Sequence, residues 1–295
     1  MDEEQKSVRG AKEHFFTTLC SSIVTLTTDF GTRDPFVGAM KGVMLGIHPE
    51  VRIVDIAHEI PPRDIVEAAF VLRESCPYFP AGTIHVAVVD PGVGSERRAL
   101  IVETERYWFV GPDNGLFGWL DETGTVRRVV AITNRDLMRP EVSATFHGRD
   151  VFAPAAAHLS KGIKVSAFGP KVSDWVRLEL PQPKIEGDRL LGRVVRVDRF
   201  GNAITNISEE TFWAFAGDGA FEIGAGAVRL REIARSYASV SEGEPLALFG
   251  SSGVLEVSVH GGPASETLGF AKDDTVWVVR KSLPRKYTEA HRNAP

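Results

Sequence analysis

The sequence predicts an α/β N-terminal domain, with a mixed, mainly parallel sheet flanked by helices, followed by a smaller all-β, barrel-like C-terminal domain. Three observations carry this prediction. Up to about residue 180, β-branched apolar runs alternate with stretches whose apolar residues recur at helical spacing. Beyond that point short apolar runs follow one another with glycine in nearly every gap. The 295-residue length exceeds an ordinary single domain and leaves room for two cores.

The first strand is expected over Ser22–Thr28, a β-branched run that stops at Asp29-Phe30-Gly31. Val37, Met40, Val43, Met44 and Ile47 then mark a helix ended by His48-Pro49. Val51–Ile56 is a second strand. Asp64 reads as the N-cap of a helix over Ile65–Cys76, with Glu67 as its first-turn acid. Tyr78–Gly82 turns the chain into a third strand, Thr83–Val89. Ala99–Glu103 and Trp108–Val110 read as an antiparallel pair added to the sheet, which makes it mixed, and Val126–Thr133 adds a strand. A helix over Val151–Lys161 follows the polar knot Thr145–Asp150, with Pro154 near its start. In the second domain strands are expected at Leu190–Val197, Ala203–Ile207, Ala220–Ile223, Ala227–Leu230, Pro245–Phe249, Leu255–Val259 and Thr275–Val279. The resulting division is 1–21, a poorly ordered extension; 22–180, the α/β domain; 181–187, a linker; 188–283, the barrel-like domain; and 284–295, a tail.

Composition narrows the class of function. A hydrophobic share of 43%, a charged share of 25% and a mean hydropathy of -0.06 are those of an ordinary soluble globular protein. Net charge is -5 and the 34 Lys and Arg residues are dispersed, which disfavours a nucleic-acid partner. No apolar run reaches transmembrane length, and the acidic N-terminus has no apolar segment of the secretory kind. Cys20 and Cys76 lie far apart without metal-ligand spacing, so the expected setting is reducing and cytoplasmic.

Polar, glycine-containing knots at strand ends are the candidate sites, because ligands of α/β proteins bind beyond the carboxyl ends of strands. Asp29 ends the first strand and has the chemistry to accept two hydroxyl hydrogen bonds; an N-cap or Asx-turn role is equally compatible with its position. Asp90 and Arg97 bracket the loop DPGVGSERR, where an arginine keeps an acid ionised and fixes its rotamer; a plain turn salt bridge is the simpler alternative. The loop lacks the lysine and hydroxyl residue of a phosphate loop. His147, in FHGRD, offers proton handling near neutral pH, or a structural hydrogen bond. The eight histidines form no metal-ligand spacing and no nucleophile elbow is present, so neither a metal nor a serine nucleophile is expected. In the second domain the turns DRFGNAITN and GSSG present Asp198, Asn202, Ser251 and Ser252; hairpin chemistry alone also accounts for them. Gly111–Gly115 repeats the acid-and-glycine theme, with Asp113 and Asn114 given no chemical role.

In their order, the segments TLTTDFGTRDPFVGAMKG, IVDIAHEIPPRD, YFPAGTIHVAVVDPGVGSERR, FVGPDNGL, TFHGRDVFAPAAAHL, VVRVDRFGNAITNI and GSSGVLEVSVHGG resemble one family, the S-adenosylmethionine hydroxide adenosyltransferases, relatives of the fluorinases and chlorinases. The resemblance implies attack of water or hydroxide on the ribose C5′ of S-adenosylmethionine, giving adenosine and L-methionine, with no cofactor. It implies a homotrimer whose sites lie between one subunit's N-terminal domain and its neighbour's C-terminal domain. The water-holding Asp, Arg and His of the family fall on Asp90, Arg97 and His147, and the ribose-binding acid on Asp29. Asp198 and Asn202 match contacts to the methionine part and its surroundings, Ser251 lies where the methionine end is contacted, with Ser252 a further substrate-binding candidate, Phe146 matches an aromatic wall, and the Val259–Gly261 backbone the adenine site. Halogenating relatives carry Tyr in place of Asp90 and Ser in place of Gly148, so water is the expected nucleophile. Two alternatives share the same motifs: a sensor that binds S-adenosylmethionine or adenosine without turnover, and a chloride-dependent adenosyltransferase.

Overall fold

The computed structural model describes residues 23–281; the expected N-terminal extension and C-terminal tail lie outside the described residues. The chain divides into two compact units between Leu180 and Pro181.

The first unit carries a six-stranded sheet in the order β2-β1-β3-β5-β4-β6. Its strands are β1 (Ile23–Thr28), β2 (Arg52–Ala57), β3 (Ile84–Val88), β4 (Ala99–Thr104), β5 (Trp108–Pro112) and β6 (Val126–Ala131). The first three and β5 run parallel, while β4 is antiparallel to both β5 and β6. The mixed sheet expected from the sequence is therefore present. The helices are α1 (Phe36–Ile47), α2 (Ile65–Ser75), the short α3 (Trp119–Glu122) and α4 (Ala153–Ser160). Asp64 caps α2 by accepting the Glu67 N–H at 2.9 Å, as its position suggests. The core that joins α1 and α4 to the sheet is built from Val24, Leu26, Met40, Met44, Val86, Phe152 and Leu159, all buried.

Two local features differ from the sequence reading. Helical backbone begins before Val151, with a π-helical turn over Gly148–Phe152 that runs into α4. Pro154 has no N–H to offer the Asp150 carbonyl, and that carbonyl instead accepts the Arg139 N–H at 3.0 Å. The stretch 181–187, expected as a linker, holds strand β7 (Lys184–Glu186), which pairs with β8.

The second unit is an antiparallel sheet in the order β11-β10-β14-β8-β9-β13-β12. Its strands are β8 (Arg189–Val197), β9 (Ala203–Ser208), β10 (Phe221–Ala225), β11 (Val228–Leu230), β12 (Pro245–Phe249), β13 (Val254–Val259) and β14 (Thr275–Arg280). Just past β11 the Ala234 N–H donates to the Ala247 carbonyl of β12 at 2.7 Å, so the ends of the sheet approach each other and the unit is barrel-like. Between β9 and β10, where the strand series leaves a gap, the chain forms helix α5 (Glu209–Ala216). Ser208 caps it, two glutamates occupy its first turn, and Phe212 and Phe215 are buried. A final short helix, α6 (Ala264–Thr267), follows β13.

One buried group ties stability to pH. His85, the second residue of β3, is fully buried, stacks on Phe109 at 5.2 Å and lies 2.8 Å from the Thr25 hydroxyl through Nδ1. Burial pushes its pKa down to about 3. The folded state thus holds a neutral ring where the unfolded chain takes up a proton below pH 6.5. Stability is fully present above that value and falls as pH drops toward 3, by up to about 1.4 kcal/mol per pH unit. Urea unfolding at a series of pH values should show a shallower acid decline for His85→Leu than for the wild type, on top of a pH-independent offset from the lost Thr25 hydrogen bond.

Candidate active site

The groups expected at the ends of β1 and β3 converge on one cleft of about 450 Å³ in the first unit. Asp29, Asp90, Phe146 and His147 line it, together with Phe30, Phe36, Pro62 and Arg63. Asp90 leaves the end of β3 and Arg97 returns seven residues later, so the loop folds the guanidinium back onto the carboxylate. Nε lies 3.0 and 3.1 Å from the two carboxylate oxygens, and Nη2 lies 2.5 Å from Oδ2. Both side chains are almost removed from solvent, at 5% and 9% exposure. The same Nη2 reaches His147 Nδ1 at 2.7 Å. A guanidinium only donates, so Nδ1 is the acceptor and the neutral ring carries its proton on Nε2. Burial and then the Arg97 charge lower the His147 pKa, against the opposing pull of Asp90 and Asp150. The ring is therefore neutral at neutral pH and presents an N–H donor. Arg97 also lies over the Phe152 ring at 5.4 Å, which fixes its plane.

The two loops that carry this triad meet through a glycine. Gly94 has φ +79°, and a Cβ there would lie 2.3 Å from the Ala144 carbonyl oxygen, three residues before His147. Asp150 holds the other side of the His147 loop. Fully buried, it accepts Arg149 Nε at 2.7 Å, Arg149 Nη2 at 2.9 Å and the Ser143 N–H at 2.9 Å. Burial alone pushes this carboxyl pKa up, but Arg149 and the Ser143 N–H outweigh it and the net shift is downward. Arg149 also covers the Phe146 ring at 5.0 Å. Arg149 and Asp150, unassigned in the sequence reading, thus support Phe146 and the His147 loop within FHGRD.

Asp29 stands at the other side of the cleft, where its Oδ2 accepts the Arg63 N–H at 2.9 Å. The turn that carries it is braced from behind: Thr28 Oγ1 lies 2.9 Å from His58 Nδ1, His58 Nε2 lies 3.1 Å from Asp55, and Asp55 lies 2.6 Å from Lys41. Phe30, Phe36 and Phe146 pack edge-on at 5.2 to 6.0 Å and form an aromatic wall, of which the sequence reading held only Phe146. The Gly111–Gly115 loop is structural and is not among the lining residues. Asp113 accepts Arg98 Nε and the Val176 N–H, each at 2.7 Å, and Asn114 Nδ2 donates to the Val89 carbonyl at 2.8 Å, directly before Asp90.

A second cleft, of about 500 Å³, lies in the second unit and is lined by Phe200, Asn202, Tyr237, Val259, Gly261, Gly262 and Pro263. Asn202, Val259 and Gly261 thus share one cavity. Asp198 is not among its lining residues and knits the turn below it, accepting the Phe200 and Asn202 N–H groups at 2.9 Å and Asn202 Nδ2 at 3.1 Å. Ser251 and Ser252 are exposed on the β12–β13 turn and do not line the cleft. Tyr237 and the buried Glu256, which the sequence reading missed, form a pair at 2.7 Å. Burial and then Glu256 push the Tyr237 pKa up, so its hydroxyl keeps its proton. Among the described residues no group of three His, Cys, Asp or Glu side chains is placed to hold a metal ion.

An α/β unit with an Asp–Arg–His cluster at its strand ends, followed by a barrel-like unit with an aromatic cleft, defines an adenosyltransferase of the S-adenosylmethionine hydroxide type. The chain belongs to this family: residues 24–169 match its N-terminal domain and residues 192–277 its C-terminal domain. It is 42% identical over 257 residues to the (R)-S-adenosyl-L-methionine hydrolase of Thermus thermophilus, a match covering 84% of this chain and 95% of that protein. A fluorinase of Actinoplanes sp. is 29% identical over 63% of this chain and 71% of its own length. The crystal structure of an uncharacterized conserved protein from Thermotoga maritima superposes with a TM-score of 0.82 at 35% identity, covering 88% of this chain and all of that one.

The Gly94 contact yields a direct test. Gly94→Ala forces a Cβ into the Ala144 carbonyl at a positive φ, and should lower stability by about 1–3 kcal/mol in chemical unfolding. The exposed Gly124, also at positive φ but with no atom within 4 Å of its Cβ position, should lose only the smaller conformational part.

Proposed function

We propose that this protein hydrolyses S-adenosyl-L-methionine, with water or hydroxide attacking the ribose C5′ to release adenosine and L-methionine. The observation that carries the reading is the Asp90–Arg97–His147 cluster, joined by hydrogen bonds and with its Asp90–Arg97 pair desolvated, in the cleft that Asp29 also lines. The close hydrolase and more distant fluorinase relatives support the same reaction class.

The chemistry asks little of the protein at sulfur, because a sulfonium leaves as a neutral thioether. It asks for a nucleophile stripped of bulk water and aligned with the C5′–S bond. Asp90 accepts a hydrogen bond from the water and His147 Nε2–H donates one to it. The O–C5′ bond forms while the C5′–S pair passes to sulfur. Since Nδ1 accepts from Arg97 and Nε2 already bears hydrogen, His147 has no free lone pair for the water's proton; that proton goes to Asp90 and then to solvent. No metal or cofactor enters this scheme. A halide is disfavoured at the same place because the Asp90 carboxylate repels it. Gly148 leaves little room for a halide-holding side chain, a Cβ there lying 3.1 to 3.3 Å from Met40, Phe146 and Phe30.

Asp29 takes the ribose hydroxyls. Phe200 and Tyr237 give the second cleft two aromatic faces for a purine, with Asn202 and the Val259–Gly261 backbone at its polar edge. The proposal includes a homotrimer in which these groups from one subunit complete the water-holding cleft of a neighbour. It is supported by the division of the two sets of groups between separate compact units. A cytoplasmic setting fits the free, buried thiol of Cys76.

Incubation with S-adenosylmethionine, followed by chromatography, should give equal amounts of adenosine and methionine; absence of adenosine above a protein-free control would favour the sensor. Asp90→Asn should reduce turnover about 10²- to 10⁴-fold when assayed well below its unfolding midpoint, which should itself fall because the buried Arg97 charge loses its partner. Because burial, and then the Arg97 charge, lower the His147 pKa from 6.5 and the neutral ring is the competent form, the acid limb of kcat/KM should be centred below pH 6.5. An acid limb centred above 6.5 would contradict this assignment.

A further inference from the structure

Arg63 is one of two non-glycine residues at positive φ among the described residues, at +69°. It occupies the third position of the turn Pro61-Pro62-Arg63-Asp64, closed by the Asp64 N–H donating to the Pro61 carbonyl at 3.0 Å. With proline at the second position and a positive φ at the third, such a turn takes glycine or asparagine at the third place without strain. An arginine held there costs about 1–2 kcal/mol over glycine. The backbone does not need this side chain, since the N–H that binds Asp29 at 2.9 Å is present in every residue but proline.

The side chain itself is unengaged. Arg63 lines the cleft beside Asp29, and its guanidinium has no hydrogen bond or ion pair among the described residues. Three arginines of the loops that carry Asp90 and His147 are tied down: Arg97 to Asp90, Arg98 to Asp113 and Asp174, and Arg149 to Asp150. A retained strain, a free five-donor fork and a place next to an acceptor-only carboxylate together point to a ligand group that both donates and accepts hydrogen bonds. Hydroxyls are such groups, and a vicinal diol presents two of them side by side.

We infer that Arg63 is a binding residue that reads the ribose hydroxyls together with Asp29, the carboxylate accepting hydrogen bonds from the hydroxyls and the guanidinium donating hydrogen bonds to their lone pairs. This rests on the reading of the cleft as an adenosyl site. Because the Asp29 anchor is a backbone N–H, replacing the side chain isolates its contribution.

The test is calorimetric binding of adenosine, 2′-deoxyadenosine and 3′-deoxyadenosine to the wild type, Arg63→Gly and Arg63→Asn, with thermal unfolding of each. Both variants suit a positive φ, so both should unfold at or above the wild-type midpoint while binding adenosine about tenfold more weakly. The loss of affinity on removing at least one ribose hydroxyl should shrink in both variants. Unchanged adenosine affinity, or undiminished deoxy penalties in both variants, would overturn the assignment of Arg63 alone. A wild type that binds neither adenosine nor S-adenosylmethionine would overturn the adenosyl reading and the assignment with it.

Discussion

Everything at the first cleft hangs on one guanidinium. Arg97 donates to both oxygens of Asp90 and, from the same nitrogen that meets Oδ2, to Nδ1 of His147. This arrangement sets three properties at once. The carboxylate is locked in rotamer, the imidazole is confined to the tautomer that bears hydrogen on Nε2, and the adjacent positive charge adds to burial in keeping the ring neutral. At such low exposure a charge pair is weak evidence for stability, because desolvation offsets much of its attraction. Its value here is preorganisation: an acceptor and a donor at fixed separation, held before any substrate arrives.

The scaffold around Arg97 serves that geometry from several directions. Asn114 fixes the carbonyl of Val89 just before Asp90, Gly94 lets the arginine loop lie against the histidine loop, and Asp150 closes the histidine loop from the opposite side. The π-helical turn at Gly148–Phe152 belongs to the same construction, since Pro154 releases the Asp150 carbonyl to bind Arg139. The second unit follows another logic. There the carboxylate of Asp198 is consumed by its own turn, and the cleft above it is shaped by aromatic faces and by backbone.

Much of this could be read from the chain alone. Alternating β-branched runs and helical spacings are local patterns, so the mixed sheet, the helix capped by Asp64 and the glycine-punctuated barrel strands were legible without coordinates. The order of short motifs likewise marked Asp29, Asp90, Arg97 and His147 as members of one site. Helix α5 carried a readable signal in Ser208 followed by Glu209 and Glu210, yet its eight residues lie between two strands and lack a long periodic stretch.

Tertiary structure alone decided what each polar residue does with its hydrogen bonds. Asp90, Asp113 and Asp198 are alike in sequence, each an acid in a glycine-containing loop, yet the first faces a cleft, the second bridges Arg98 to the chain at Val176, and the third knits its own turn. Spacing determines where a side chain leaves the backbone, whereas its partners come from elements distant in sequence, 63 residues away in the contact between Asp113 and Val176 and 76 in that between Arg98 and Asp174. The tautomer of His147 and the strained backbone of Arg63 have the same origin. The first depends on an arginine fifty residues distant and the second on a turn pinned by Asp29, neither of which a local pattern contains.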